Sequence, residues 1–410
     1  MAGAAPLSGY AVFAALLASA GLPIYIHAPK FYVDEYGVSL AALGAVLFGL
    51  RLFDVVQDPA LGWLSERLRR ARGLAVAGAV ALLAGSMWAL FAVTPPVAPL
   101  LWFGLTLTGL FTAFSFLTIT FYAQGVSRAG QLGAGGHVRI AAWRETGALL
   151  GVSAAAVAPT LLIGTGAPFA AFAAGFAGLA LVAALAMRRE WRLPAAAQEG
   201  GFREVLADPV ARRLLVVALV NATPVAVTST LFLFFVESRL AAPGWEGPLL
   251  LLFFLSAAAS APVWGRVARI WGAKRTLIGG MMLSILAFAY AAFLGAGDIL
   301  PFALICIASG AALGADMTLL PAIFAGRMVH VAPNAGRAFG LWTFVSKFTL
   351  AFAAVTLLPL LQRAGFAAGA DNPPGALVTL SVLYALVPCA LKLLAIALLA
   401  ATPLTRETDR

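Results

Sequence analysis

Apolar runs about as long as a bilayer is thick recur along the whole chain, and no other feature limits its fold so strongly. A helix needs about 20 apolar residues to cross the hydrocarbon core. Such runs lie at 9–29, 39–64, 73–93, 99–123, 140–163, 168–187, 213–236, 248–270, 276–296, 300–325, 339–362 and 378–402. They are too long for strands and do not alternate polar with apolar side chains, so helices are expected. Pro and Gly inside them are compatible with membrane helices, where neighbouring groups re-satisfy the freed backbone. Composition agrees, at 62% hydrophobic and 11% charged, where a soluble domain is about half apolar and about a quarter charged. The net charge of +10 would suggest nucleic acid on a soluble protein. Here the basic residues fall in short loops between apolar runs, where they orient the chain in a membrane, and no nucleic-acid partner is expected.

Charge sets the expected topology. Arg67, Arg69, Arg70 and Arg72 follow span two; Arg188, Arg189, Arg192, Arg203 and Arg212 follow span six; Lys274 and Arg275 follow span eight. The opposite loops hold Asp34, Glu35, Glu237, Glu246, Asp298 and Asp371. Positive charge inside puts both termini in the cytoplasm. The first run lacks a basic region before it and reads as a retained span, not a signal peptide. Segment 188–212 divides the chain into six-span halves: bundles at 1–187 and 213–402, with a tail at 403–410. A weak repeat supports the division. Asp58-Pro59-Ala60-Leu61-Gly62 leads into a basic turn, and so does Ala261-Pro262-Val263-Trp264-Gly265. Two like halves around a midplane site are a transporter architecture.

Ionisable residues within spans are the most informative side chains, since each costs about 2.5–3.5 kcal/mol at a helix centre. Arg51, Asp54 and Asp58 share one face of span two, being three and four residues apart. Their charges sum to −1, which suits a proton, a sodium ion or a cationic side chain such as Lys347 in span eleven. At about 1.5 Å per residue, Asp54, Asp58, Asp316 and Lys347 fall in one layer, roughly 9–15 Å from the cytoplasmic end. Lys347 is expected either to compete with a cation for the span-two aspartates or to pair with Asp316. The bland reading, an ion-pair cluster that only holds helices together, stands beside the functional one.

Tyr25 and His27 in span one either face a cavity or bond a neighbouring helix. The same two readings apply to Asn221, Thr223 and Ser229 in span seven and to Trp342 and Thr343 in span eleven. Lys392 is expected to snorkel, and His137 and His330 to be solvated loop residues. Cys306 and Cys389 lie in apolar runs with no metal or disulfide spacing. No Gly-x-Ser-x-Gly, His-Glu-x-x-His or Walker A pattern occurs, so neither an enzyme nor an ATP-driven pump is expected, and no catalytic residue is assigned.

The run Arg51-Leu-Phe-Asp54-Val-Val-Gln-Asp58-Pro59-Ala-Leu-Gly62-Trp-Leu-Ser-Glu66-Arg67 resembles the signature of the glycoside–pentoside–hexuronide cation symporters, the melibiose permease type, within the major facilitator superfamily. Arg139, Arg144, Gly147 and Gly151 look like that family's start of span five. Ala315-Asp316, Gly336-Arg337-Ala338-Phe339-Gly340 and Lys347 look like its span ten to eleven region. The resemblance implies an all-α fold of twelve transmembrane helices and a monomer in the bacterial inner membrane. It further implies a small-molecule substrate, lipid surroundings and coupling to Na+ or H+, with no other cofactor. By position, Asp54 and Asp58 match cation-site aspartates, which would also ligate a metal ion; Lys347 matches the functional lysine, and Arg144 a cavity-side arginine. Arg139, Arg144 and Asp316 are expected at a gate.

Departures from the family pattern are as telling. The Lys-Asp pair of the family's span one corresponds to Leu17-Ala18, and the span-four Asp and Trp to Thr118 and Tyr122, which thereby become candidate substrate contacts. Leu319 replaces a second span-ten Asp. The resemblance implies cation-coupled symport of a small, sugar- or glycoside-like solute, and the departures point instead to an amphiphile. A lysolipid or other amphiphile is the alternative, and a non-transporting membrane enzyme or assembly factor comes third.

Overall fold

The computed structural model describes residues 7–133, 135–192, 202–331, 336–366 and 372–404. Within its helices some side chains, among them those of Tyr25, His27 and Arg51, lie outside the described residues. Among the described residues every regular element is helical. The first span is made of α1 (Ser8–Ser19) and α2 (Leu22–Tyr36). The next five are α3 (Leu40–Arg67), α4 (Arg72–Ala92), α5 (Pro99–Gln131), α6 (Gly136–Leu161) and α7 (Pro168–Met187). A short α8 (Phe202–Ala207) precedes α9 (Pro209–Phe234), α10 (Glu246–Trp271), α11 (Ala273–Ala291), α12 (Ile299–Val331) and α13 (Gly336–Arg363). The last span joins α14 (Pro374–Ser381) to α15 (Val387–Ala400). These segments carry the twelve expected spans, and seven helical stretches among the described residues are long and apolar enough, by length and composition, to cross a membrane.

Several boundaries differ from the hydropathy reading. The first span is interrupted at Ala20 and Gly21, because Pro23 near the start of α2 has no N–H to continue the preceding ladder. It then runs past its apolar stretch to Tyr36, so Asp34 and Glu35 ride exposed on its last turn and not in a loop. Gly37, at φ 64°, ends it in the left-handed conformation that glycine adopts without penalty. His137 is half-buried in the first turn of α6, while His330 is exposed in the last turn of α12. Asp371 lies outside the described residues.

The chain forms two compact units: Met1–Gly136 with Trp143–Phe202 and Ala332–Phe344, and His137–Ala142 with Arg203–Val331 and Val345–Arg410. In the first, α4 packs on α5 and α7, α3 on α5, and α1 on α7. Helix α6 meets α1 through glycine: a Cβ at Gly147 or Gly151 would strike the backbone of Ala11 or Ala15. Ser19 Oγ donates to the Gly151 carbonyl at 3.1 Å along the same seam. Small residues four apart let two backbones approach where lipid supplies no hydrophobic drive. Phe13 sits 4.9 Å from Phe121 and 5.3 Å from Trp191, ring centre to ring centre. A buried polar set holds the chain leaving α7. Tyr10 donates its hydroxyl to Glu190 at 3.4 Å, Gln124 donates its amide to the Glu190 carbonyl at 2.9 Å, and Arg72 donates to Gln124.

In the second unit, α12 packs on α10 and α11, and α15 on α9 and α11. Two π-helical turns, Phe235–Arg239 and Val382–Leu386, carry Phe235 and Tyr384 at or within them, and those rings stack at 4.2 Å. Such turns re-aim a helix where side chains must be packed out of regular register. Asp208 caps α9, accepting from Ala211 N–H at 2.7 Å, and holds Arg327 of α12 at 2.5 Å. Lys274 donates to the carbonyls of Ala400 and Thr402 at 2.9 and 2.8 Å, closing the end of α15, whose last carbonyls have no partner within the helix.

Candidate functional site

Besides the set around Glu190, three further polar clusters lie inside the spans among the described residues. The first is the middle of α3. Asp54 and Asp58, one turn apart, are 4% and 0% exposed. Asp54 Oδ1 accepts from Ser115 Oγ of α5 at 2.9 Å and from Gln57 Nε2 at 3.0 Å; Gln57 Oε1 in turn accepts from Thr112 Oγ1 at 3.0 Å. Both donors fix the orientation of the carboxylate. At the end of the same helix Glu66 accepts from the Arg337 backbone N–H at 2.9 Å and lies 2.9 Å from its guanidinium.

The second place joins α5 to α6. Arg144 Nε donates to Glu145 Oε1 at 2.7 Å, and the guanidinium lies over the Tyr122 ring at 3.7 Å. Tyr122 donates its hydroxyl to the same Glu145 oxygen at 3.3 Å and sets its ring 5.1 Å from Phe339. Arg144 and Glu145 are both buried, and Arg144 Nη2 has no hydrogen-bond partner among the described residues. The cluster therefore offers a cation–π pair with one unused guanidinium donor. Of the other residues singled out in the sequence, Thr118 is half-buried with its hydroxyl unpartnered, Trp342 is buried, and Arg139 is exposed. Nothing is described of the side chains of Tyr25, His27 and Arg51.

The third place lies in the second unit. Lys392, 2% exposed, donates to Asn221 Oδ1 at 2.7 Å and to Asp316 Oδ2, with which it forms an ion pair. Two expectations are corrected. Lys392 does not snorkel, because a carboxylate and an amide meet its ammonium inside the bundle. Asp316 pairs with Lys392 and not with Lys347, which is half-buried in α13. Lys392 thereby answers the charge of Asp316 within the second unit. The sequence reading also missed Glu145 and Gln57. Glu145 follows Arg144 directly inside an apolar run, so its sequence signal was there. Lys392 was visible in the same way, but its partners, 76 and 171 residues away, were not.

Charged side chains buried among membrane-length helices, together with a family match over nearly the whole chain, define a class: a polytopic transporter with the major facilitator fold, not an enzyme. The chain belongs to the MFS/sugar transport protein family, whose profile matches residues 7–406. No curated protein matches it. Among solved structures it is similar to a bacterial homologue of the iron transporter ferroportin in an outward-facing state, with a TM-score of 0.70 and 14% identity, covering 96% of this chain and 98% of that one. The same homologue with soaked iron matches at TM-score 0.69 and 14% identity over the same shares. At that identity the likeness is one of fold.

Proposed function

We propose that this chain is a cation-coupled symporter that moves a small organic solute by alternating access, as a monomer in the bacterial inner membrane with both termini cytoplasmic. The observation that carries the coupling is the pair Asp54 and Asp58, buried one turn apart in α3, with Asp54 accepting hydrogen bonds from Ser115 and Gln57. Carboxylate, hydroxyl and amide oxygens are hard ligands that suit Na+, and a carboxylate equally takes a proton. Arg51 and Lys347 are the cationic side chains assigned to modulate that charge. Arg144 over Tyr122 offers a solute one unused guanidinium donor beside an aromatic face, a combination suited to a hydroxylated, sugar- or glycoside-like molecule.

The test uses purified full-length protein. Na+ against choline at equal ionic strength, and acid against neutral pH, should raise the unfolding midpoint of the wild type, since a ligand of the folded state stabilises it. Asp58→Asn should fold yet lose that response, and Asp54→Asn should weaken it. A cation response unchanged in both variants would remove these residues from coupling. Adding sugars and lysolipids in parallel separates the glycoside reading from the amphiphile one, because only the bound class shifts the midpoint further.

A further inference from the structure

The second unit contains a cavity of about 30 Å3, and the buried ion pair forms part of its wall. Its other walls are mostly apolar, with Phe253, Ile285, Phe288 and Leu313 prominent. Both members of the pair reach it with hydrogen-bonding capacity to spare. Asp316 Oδ1 is buried without a hydrogen-bond partner, while Oδ2 is taken by Lys392. Lys392 has three N–H donors and gives them two acceptors, Asp316 and Asn221. Thr228 and Ser309 also line the cavity, but their hydroxyls are committed to backbone carbonyls of their own helices. An orphaned carboxylate oxygen in a low-dielectric interior is costly and rare.

From this geometry we infer that the cavity is a binding site for a small neutral molecule with an apolar body and a single head group that both donates and accepts, such as a primary amide or a hydroxyl. Its N–H or O–H donates to Asp316 Oδ1, and its oxygen accepts the remaining Lys392 donor. Charge selects against the alternatives. The pair is neutral as it stands, so an ammonium or carboxylate ligand would leave a net charge in an interior with little polar lining to answer it. That volume exceeds the roughly 10–15 Å3 that one water needs. The site is built wholly from residues of the second unit, Asp54 and Asp58 not among them, and the inference stands whether or not those two couple transport.

Three probes with the same apolar tail and different heads decide it: pentanamide, pentylammonium and pentanoate. Purified full-length protein is titrated with each while the unfolding midpoint is followed, and heats of binding are measured by calorimetry. Pentanamide at ten times its dissociation constant should raise the midpoint by about 2 °C, saturably, and the two ions should not. Ser284→Leu, which fills the cavity from α11 without touching the pair, should abolish the effect; Val225→Phe serves if that variant does not fold. The charge-removing double variant Asp316→Leu with Lys392→Met should abolish it too. Equal shifts from all three probes, a pentanamide shift surviving in the filled variants, a preference for either ion, or no response to pentanamide would each overturn the proposal. None of these outcomes bears on the Na+ response of Asp58→Asn, so the two readings fail separately.

Discussion

An ammonium sealed inside a helical bundle is tolerable only while its charge is answered. Lys392→Met is expected to lower stability by about 3–5 kcal/mol, because it leaves Asp316 as a buried charge without its partner. Adding Asp316→Leu should recover most of that loss, since apolar residues often replace a buried pair without penalty. Detergent-unfolding titrations of the wild type, Lys392→Met, Asp316→Leu and the double variant measure the coupling; if the double variant is no more stable than Lys392→Met alone, the two charges act independently. Asp208 makes a different case, at the mouth of α9. Burial pushes its carboxyl up, but the Arg327 guanidinium and the Ala211 N–H outweigh burial and hold it below the usual range. A lowered carboxyl stabilises the fold above its unfolded pKa of about 3.9, and the contribution fades as pH falls through the lower folded value. Asp208→Ala should thus cost about 1–2 kcal/mol in lost capping alone at pH 6, and the gap from wild type should shrink below pH 4. A gap that stays constant from pH 6 to pH 3 would show that the ionised carboxylate is not the stabilising form. Asp54 and Asp58 could be recognised as functional candidates in the sequence because a carboxylate in an apolar run is conspicuous by itself. What answers a charge could not be read in the same way, since Lys392 finds Asp316 only after α12 and α15 have packed into the same unit.

At the scale of helices, close approach decides which pairs are adjacent. The α6–α1 seam depends on Gly147 and Gly151, where any Cβ meets the backbone of Ala11 or Ala15. The second unit repeats the device with Gly310 and Gly314 of α12, which lie against Phe253 and Ser260 of α10. Gly147→Val and Gly151→Val should therefore force α6 away from α1, break the bond from Ser19 to the Gly151 carbonyl, and destabilise by several kcal/mol, as overpacking does at about 1–3 kcal/mol for milder insertions. Gly175→Val, on α7 with open space beside it, is the control and should be tolerated. Comparable yields of monodisperse protein from all three variants would show that the seam can open without loss. Glycines four apart were visible in the sequence, but their partner helix was not. Hydropathy located the helices well because lipid demands length and apolarity, and it failed at their ends, where α2 and α12 run on past the apolar stretch. The break in the first span follows from Pro23, which sits inside an apolar run that conceals it.

For the whole molecule, the open question the sequence already frames is which ends of the helices face the cytoplasm. The basic residues that follow α3 and α7 and begin α11 all fall after even-numbered spans: Arg67 to Arg72, Arg188 and Arg189, and Lys274 with Arg275. Alternating spans put these clusters on one side, and an excess of Lys and Arg in short loops marks the cytoplasmic one. Lys274 and Arg72 also serve the fold, bonding the end of α15 and Gln124 respectively, so packing removes some of the charge from the orientation signal. The basic clusters at Arg67 to Arg72 and at Arg188 and Arg189 are expected to set the direction. Arg70→Cys should accordingly be blocked by a membrane-impermeant maleimide only after the membrane is opened, whereas Glu246→Cys, at the start of α10 after an odd-numbered span, should react in intact cells. The background is quiet, because both native thiols, Cys306 and Cys389, are buried. Reaction of both introduced cysteines from the same side would break the alternation of spans, and reaction of Arg70→Cys alone in intact cells would invert the topology and place the Glu66–Arg337 end of α3 outside.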